Sequence, residues 1–359
     1  MSTKAAAMSD AELAVQSTRP YPPGWLHQLL LALDRLPGPA PLWYAVIGLA
    51  AVLVYHLEFW TVGRSTVGEF DAENTFWGLA LFAGLWASAH FERVASAALD
   101  ATRPALRLSG AEFERLRYEL TVAPAIPSAI ALAGSVGLNL LAYVIDPVGT
   151  YVVGQSAPLV VAAFLATAIT IGILFVGLLQ LVRQMRLIRT TLDRWASIDP
   201  FLPGPLSGFS RLTSQLGITI VLIITAGSVI SPIPAGQLAF LVRSLPYIVV
   251  TPAIALIAFV MPLYGLHTRL AAEKERLQGE AEHRLKALLA ALNDDVDRAD
   301  LTRAEGLNQQ LTSMLQQREV LVRLPTWPWS IGTLRAVISA VLLPMVLFVI
   351  QSILAQLLF

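Results

Sequence analysis

The ionisable side chains that border apolar stretches are the first candidates for chemistry. The segment YHLEFW places His56 and Glu58 near the end of one apolar run, and HFER places His90, Glu92 and Arg93 near the end of the next. Ionisable groups at membrane depth are often functional, but at the ends of such runs interfacial anchoring is the commoner role. His56 and Glu58 are therefore a candidate outer polar site, with anchoring as the alternative.

The common catalytic and metal-binding patterns do not occur. The five histidines form no H-x-x-x-H or HExxH pair, and there is no G-x-S-x-G elbow, glycine-rich phosphate loop or cysteine. The acidic turn NDDVDRAD offers Asp295 and Asp297 as in a calcium loop, but Arg298 replaces the required glycine and Ala304 the final glutamate. We expect no enzyme activity, no metal and no cofactor.

The composition points to lipid as the solvent. Of 359 residues, 55% are hydrophobic and 14% are charged, against about 25% charged in an average globular protein. The mean hydropathy is +0.63. The formal net charge is zero and no basic block is present, so we expect no nucleic-acid partner. Residues 1–40 are polar and proline-rich, and they predict no cleavable signal peptide.

Apolar runs of about 20 residues mark membrane-spanning helices, and this chain has seven. The fifth and sixth almost merge around SPIPAGQLAFLVRS. The predicted spans cover residues 42–61, 75–96, 127–146, 156–183, 214–234, 244–266 and 332–358.

Loop charge predicts the orientation. The segments after spans two, four and six are rich in Arg and Lys, whereas the alternate loops contain only Arg64 and Arg243. Positive loops stay cytoplasmic. The sequence thus predicts an all-α polytopic protein of the cell (plasma or inner) membrane, with its N-terminus inside and its C-terminus outside.

Tryptophans cluster near the predicted span ends, where an indole sits at headgroup depth. We assign Trp60, Trp77, Trp327 and Trp329 as interfacial anchors. The last two belong to PTWPW, in which prolines end a charged helix just before span seven.

Long helical segments are predicted on the cytoplasmic side. The segment AEFERLRYEL reads as a solvated helix, and WLHQLLLALDRL as either an interfacial or a docking helix. We expect four regions: 1–40 is a cytoplasmic segment, 41–266 contains spans one to six, 267–325 forms a helical hairpin, and 326–359 forms a joint followed by span seven. The leucine stripes of the hairpin should pack on each other, on other inner helices or on neighbouring subunits.

Most polar residues within the spans are uncharged. A coupled transporter would usually have a carboxylate near the middle of the membrane, and the sequence shows none there. Channels can combine small polar side chains with a hydrophobic gate. Ser339, Pro344, Gln351 and Ser352 interrupt the apolar span seven, so they are the candidate pore-lining residues.

Three segments resemble recurring parts of uncharacterised prokaryotic multi-pass membrane proteins. Together they cover about a third of the chain, and the resemblance carries no activity with it. They are IDPFLPGPLSGFSRLT, MPLYGLHTRLAAEKERL and LPTWPWSIGTLRAVISAVLLPMVLFVIQ.

The predicted topology resembles the seven-helix ion channel superfamily that includes insect odorant and gustatory receptors. That resemblance implies a cytoplasmic anchor made by the inner helices and a homo-oligomer, a tetramer in that superfamily, with the last helix lining the pore. The last-helix signature is Thr-Tyr, five hydrophobic residues and Gln-Phe. In PMVLFVIQS the hydrophobic residues and Gln351 match, whereas Pro344, Met345 and Ser352 depart from the pattern.

The leading hypothesis is a homo-oligomeric ion channel in the lipid bilayer, with span seven lining the pore behind a hydrophobic gate. The alternative is a non-channel transporter or sensor-type membrane protein. A non-catalytic subunit of a larger complex ranks third, and an intramembrane enzyme last, because the sequence pairs no titratable groups at plausible depth.

Overall fold

A computed structural model describes most of the chain. The described residues are 19–145, 156–195, 201, 207–230, 249, 251–298 and 304–358. All regular secondary structure within these residues is helical. The one β-type contact among them is an isolated bridge between Pro23 and Pro124. The expected turn between spans five and six lies outside the described residues. Most of the proline-rich turn after span four also lies outside them, as does the first part, 1–18, of the predicted segment 1–40.

Ten α-helices follow one another along these residues, with a short 3-10 turn after the third. They are α1 Trp25–Asp34, α2 Ala40–Thr61, α3 Ala72–Thr102, α4 Gly110–Thr121, α5 Ala125–Ile145, α6 Ala157–Trp195, α7 Ser207–Ile230, α8 Thr251–Asp297, α9 Ala304–Arg323 and α10 Ile331–Leu358.

Each predicted span coincides with one helix over the residues described, namely α2, α3, α5, α6, α7, α8 and α10. Two of them are much longer than a bilayer requires. The 39 residues of α6 and the 47 of α8 correspond to lengths of about 58 and 70 Å, against a hydrocarbon core of roughly 30 Å. The acidic turn also begins later than expected, because α8 continues to Asp297.

Among the residues that the structure describes, four helices are long and apolar enough to cross a membrane: Ala40–Thr61, Ala125–Ile145, Ala157–Trp195 and Pro252–Asp297. The described part of α3 is less apolar, and α10 contributes the apolar stretch Ile331–Leu347. Position in the bundle explains the lower apolarity of α3. The helix α3 packs against α2, α4, α6 and α7, and α7 packs against α3, α8 and α10, so these helices face protein more than their surroundings.

Buried hydroxyl groups lie along the packed face of α7. All of them are packed inside the bundle, and several return their hydrogen to the helix backbone, as Thr213 does to Ser210 and Ser214 to Arg211. The buried hydroxyl residues of α7 are Ser210, Thr213, Ser214, Thr219 and Thr225.

Local capping residues fix where several helices begin. The Asp71 side chain accepts a hydrogen bond from the Asn74 amide at the start of α3. Before α4, Ser109 and Glu112 form a complete capping box, each accepting a hydrogen bond from the other's backbone amide. Such caps satisfy amides that have no partner inside the helix. They confirm the AEFERLRYEL segment as a helix.

Two apolar clusters hold the helices together. One joins α1, α2, α3, α5 and α6 around residues such as Leu30, Tyr44 and Leu85. The other joins α3, α4, α6, α7 and α8 around residues such as Phe113 and Phe209. The second includes the soluble-type helix α4, so the bundle continues beyond the predicted membrane boundary.

The contact between α2 and α3 depends on glycine. A Cβ atom on Gly78 would lie 2.5 Å from the backbone nitrogen of Val52, and one on Gly48 would lie 2.6 Å from the Cβ of Phe82. Neither helix can withdraw without opening the apolar cluster, so the small residues set the interhelical distance.

Candidate functional site

The helix α10, which carries the candidate pore residues, lies at the edge of the bundle. Within the described chain its principal contacts are with α7 and, less extensively, α8. Its packed face contains Val337, Ala340 and Pro344, whereas Ser339 is exposed. Ser339 and Pro344 therefore point to different sides of the helix. The side chains of Gln351 and Ser352 lie outside the described residues.

The exposed face of α10 is a continuous stripe that runs directly opposite Pro344. At 100° per residue its members fall within a narrow arc, and all but the first two are apolar. They are Arg335, Ser339, Leu342, Val346, Ile350 and Ile353. A helix that packs on one side only, with a long uncovered apolar stripe on the other, must face lipid or another protein chain.

A stack of aromatic rings connects the PTWPW joint to α8. The rings of Trp327 and Trp329 stack with centroids 4.0 Å apart, and Trp329 also contacts Phe259 at 4.9 Å. On the other side Trp327 stacks on His267 at 3.8 Å, and His267 Nδ1 lies 3.0 Å from the Thr326 carbonyl oxygen. These two predicted anchors thus pack on protein, which fixes the start of α10 relative to α8.

The same joint is held from the α9 side. The Nζ group of Lys274 donates to the carbonyl oxygens of Val322 and Leu324, at 2.7 and 2.9 Å. These carbonyls have no partner inside α9 because they end the helix, and a cation there also suits the helix dipole. The Ser330 hydroxyl accepts a hydrogen bond from the Thr333 amide and begins α10. The joint therefore links α8, α9 and α10 mechanically.

The predicted outer polar site is well ordered around His56, which is 1% exposed. Its Nε2 atom accepts a hydrogen bond from the Asp71 amide at 3.0 Å, which requires Nε2 to be unprotonated, so Nδ1 donates to the Val52 carbonyl at 2.8 Å. The ring also contacts Phe70 and Trp60. His56 thus links the end of α2 to the start of α3.

The remaining predicted outer residues pack nearby. Glu58 is 4% exposed on the packed face of α2. Trp60 donates from its indole to the Glu69 carbonyl at 2.8 Å, which closes the loop between α2 and α3. Trp77 packs against the apolar cluster of α2 and α3. The structure brings His56 and Trp60 together and gives each a backbone partner.

A second polar site, which the sequence did not reveal, lies between α1 and α3. His27 Nδ1 is 2.9 Å from Glu92 Oε1, and both side chains are partly buried. The two residues are 65 positions apart, so only the docking of α1 onto the bundle brings them together. The amphipathic α1 packs Leu26, Leu30 and Leu33 against the bundle.

The His27–Glu92 pair borders a small cavity of about 40 Å³, enough for about two water molecules. The cavity is also lined by Ser88, Gln180 and Gln184. The Oε1 atom of Gln180 is buried and accepts no hydrogen bond from the described residues. These polar side chains share the cavity with apolar ones such as Leu26 and Phe91.

Next to the cavity, side chains of α6 cap the C-terminal end of α4. The amides of Gln180 and Gln184 both donate to the Leu120 carbonyl, each at 2.8 Å, and Arg183 donates to the Val122 carbonyl at 2.8 Å. Tyr21 donates to the same Val122 carbonyl at 2.9 Å. Burial raises the pKa of Tyr21 to about 12, although nearby Arg183 opposes the shift. The phenol therefore remains a donor throughout the neutral range.

Within the described residues no three or more His, Asp or Glu side chains come together as a metal site would require. No family model matches the chain, and neither the curated proteins nor the solved structures provide a match. Function must therefore be inferred from the chain's own residues. The two candidate functional sites are the exposed stripe of α10 and the cavity beside His27.

Proposed function

We propose that the chain is a seven-span integral membrane protein, with its N-terminus inside and its C-terminus outside, that assembles into a homo-oligomeric ion channel lined by α10. The observation that carries the proposal is the position of α10: against the residues that the structure describes it packs on one side only, and its uncovered stripe combines Ser339 with large apolar side chains. Symmetric copies facing one another through this stripe would enclose a pathway with a hydroxyl ring and apolar constrictions.

The inner helices offer a second surface for assembly. Beyond Leu270, which is buried, α8 extends for about 40 Å to Asp297 and has α9 as its principal partner in the described chain. Leu277, Leu285 and Leu288 remain only partly buried there. In an oligomer the neighbouring subunits would cover these leucines, and the PTWPW joint would transmit movements of this helix pair to α10.

Cysteine accessibility tests the proposed lining, because the natural chain contains no cysteine. A thiol introduced by Ser339→Cys should react rapidly with an impermeant, water-soluble methanethiosulfonate reagent, since thiolate forms in water and not in lipid. The matched control is Ala133→Cys, because Ala133 is also exposed and lies eight residues after the start of its helix, as Ser339 does in α10. Equal, slow reaction at both positions would mean that α10 faces lipid, which would refute the proposal.

A non-channel transporter or sensor is the second candidate, and the polar cavity beside His27 and Glu92 favours it. The cavity holds a titratable pair and an unsatisfied Gln180 oxygen within the bundle. Solute uptake into liposomes that is abolished by Glu92→Gln, without any single-channel current, would support this function. A current that persists in Glu92→Gln would favour the channel.

A further inference from the structure

A long groove runs along the outside of the bundle between α6 and α8. Its volume is about 690 Å³, and all of its lining except Arg189 of α6 comes from one face of α8. Ile257, Met261 and Tyr264 are more than half exposed there. These exposed side chains recur every three or four residues, so they form a strip along the helix rather than a scattered set.

The polarity of the groove changes along its length. One end is apolar, formed by Ile257, Val260 and Met261, whereas the other end presents the hydroxyls of Tyr264 and Thr268 and the guanidinium of Arg189. From Ile257 to Thr268 the helix rises about 16 Å, which is close to half of the roughly 30 Å hydrocarbon core. The groove therefore has the length and polarity of one lipid leaflet.

Arg189 is available to bind an anion. Its side chain is 60% exposed, and its nearest acid is Asp193, whose Oδ2 lies 3.9 Å from Nε. That separation is too long for a hydrogen bond. The terminal guanidinium nitrogens make no hydrogen bond with the described residues. A planar guanidinium can hold two oxygens of a phosphate at once, which a lysine cannot.

We propose that this groove binds one anionic phospholipid of the inner leaflet, with the lipid phosphate on Arg189 and an acyl chain along Ile257 and Met261. This assignment rests on the membrane orientation proposed above, in which the basic end of α6 faces the cytoplasm, and it does not depend on channel activity. Basic pockets between helices on the cytoplasmic side are a recognised form of anionic-lipid site.

Native mass spectrometry of the full chain in detergent tests the proposal directly. Phosphatidylglycerol and phosphatidylcholine with identical acyl chains are added in turn, and the lipid-bound fraction is measured. We expect phosphatidylglycerol to bind more tightly, and Arg189→Gln to weaken it about tenfold, equivalent to about 1.4 kcal/mol. The control is Arg186→Gln, because Arg186 is exposed one turn earlier on α6 and does not line the groove; its affinity should match the wild type.

A second variant tests the apolar half. Met261→Trp would fill the groove and should reduce the binding of both lipids, while Arg189→Lys should keep part of the preference for the anionic one. Equal affinity for the two lipids would overturn the proposal, and so would equal losses in the two glutamine variants. Binding of glycerol phosphate as tight as that of phosphatidylglycerol would also overturn the proposal. So would a dimer of the chain that binds no lipid in this groove. Helicity by circular dichroism identifies any variant that fails to fold, and the remaining variants then decide.

Discussion

The imidazole of His267 and the indole of Trp327 lie parallel, with their centroids 3.8 Å apart and their planes within 5°. One ring belongs to α8 and the other to the joint before α10, so the stack fixes the relation between the longest helix and the last one. Both tryptophans of PTWPW pack on α8. The joint is therefore a protein contact, and its proposed depth at the membrane interface is a separate property.

Breaking this stack should loosen α10. We expect His267→Ala and Trp327→Ala each to destabilise the protein, with a coupling energy of about 1 kcal/mol in a double-mutant cycle, which is the usual value for an aromatic pair. Thermal unfolding in detergent measures the four members of the cycle. Strict additivity would mean that the two rings do not stabilise each other.

The α2–α3 contact should tolerate no side chain at Gly78. We expect Gly78→Ala to destabilise the protein, because the new methyl group would overlap Val52. The control is Gly137→Ala on α5, where a Cβ meets no atom within 4 Å. There alanine should be neutral or slightly stabilising, by up to about 1 kcal/mol, through its helix propensity. Effects of the same sign and size would contradict the close packing.

Tyr21 should give the protein an alkaline stability limit. Burial raises the pKa of Tyr21 to about 12, whereas in the unfolded chain it is about 10. Between these values the unfolded state releases a proton that the folded state retains, so stability falls as pH rises from about 10 to 12.

The variant Tyr21→Phe should lose about 1 kcal/mol at pH 8, because the hydrogen bond to the Val122 carbonyl is removed. It should also show a shallower alkaline decline. Unfolding midpoints across this pH range measure both effects, with Tyr264→Phe as the exposed control. An unchanged slope in Tyr21→Phe would assign the alkaline limit to other residues.

Arg335 should influence which ions pass. It is the only charged residue of α10, is exposed, and shares the face of Ser339 one turn away. In the proposed oligomer it would form a ring of positive charge at the inner mouth, which favours anions. We expect Arg335→Gln to shift the reversal potential towards cations in a salt gradient. A reversal potential that does not move would place Arg335 outside the conduction path.

Periodicity and apolar run length predicted the helices well, because both depend on neighbouring residues. The stretch 42–61 became α2 and 127–146 became α5, each within two residues. Hydropathy did not predict that α3 and α7 would be central, because burial among other helices depends on the whole fold. The seven spans remain a prediction, since four helices within the described residues meet the requirement for length and apolarity.

The sites were harder to predict than the helices. The role of His56 as a link between α2 and α3 depends on Phe70 and Asp71, which lie only 14 and 15 residues further along the chain. The His27–Glu92 pair could not be found from nearby sequence, because its residues meet only through tertiary packing. Ser339 and Pro344 were grouped by composition, yet seen along the helix axis they lie on opposite sides of α10.

Single-channel recording of the purified protein in planar bilayers tests the central claim most directly. The proposal predicts discrete currents from the wild type, and an altered unitary conductance in Ser339→Leu and Gln351→Leu. The control Ala133→Leu, at an exposed position of α5, should conduct as the wild type does. The absence of current under all voltages and salts tested, or a current indifferent to both α10 substitutions, would contradict a pore lined by α10.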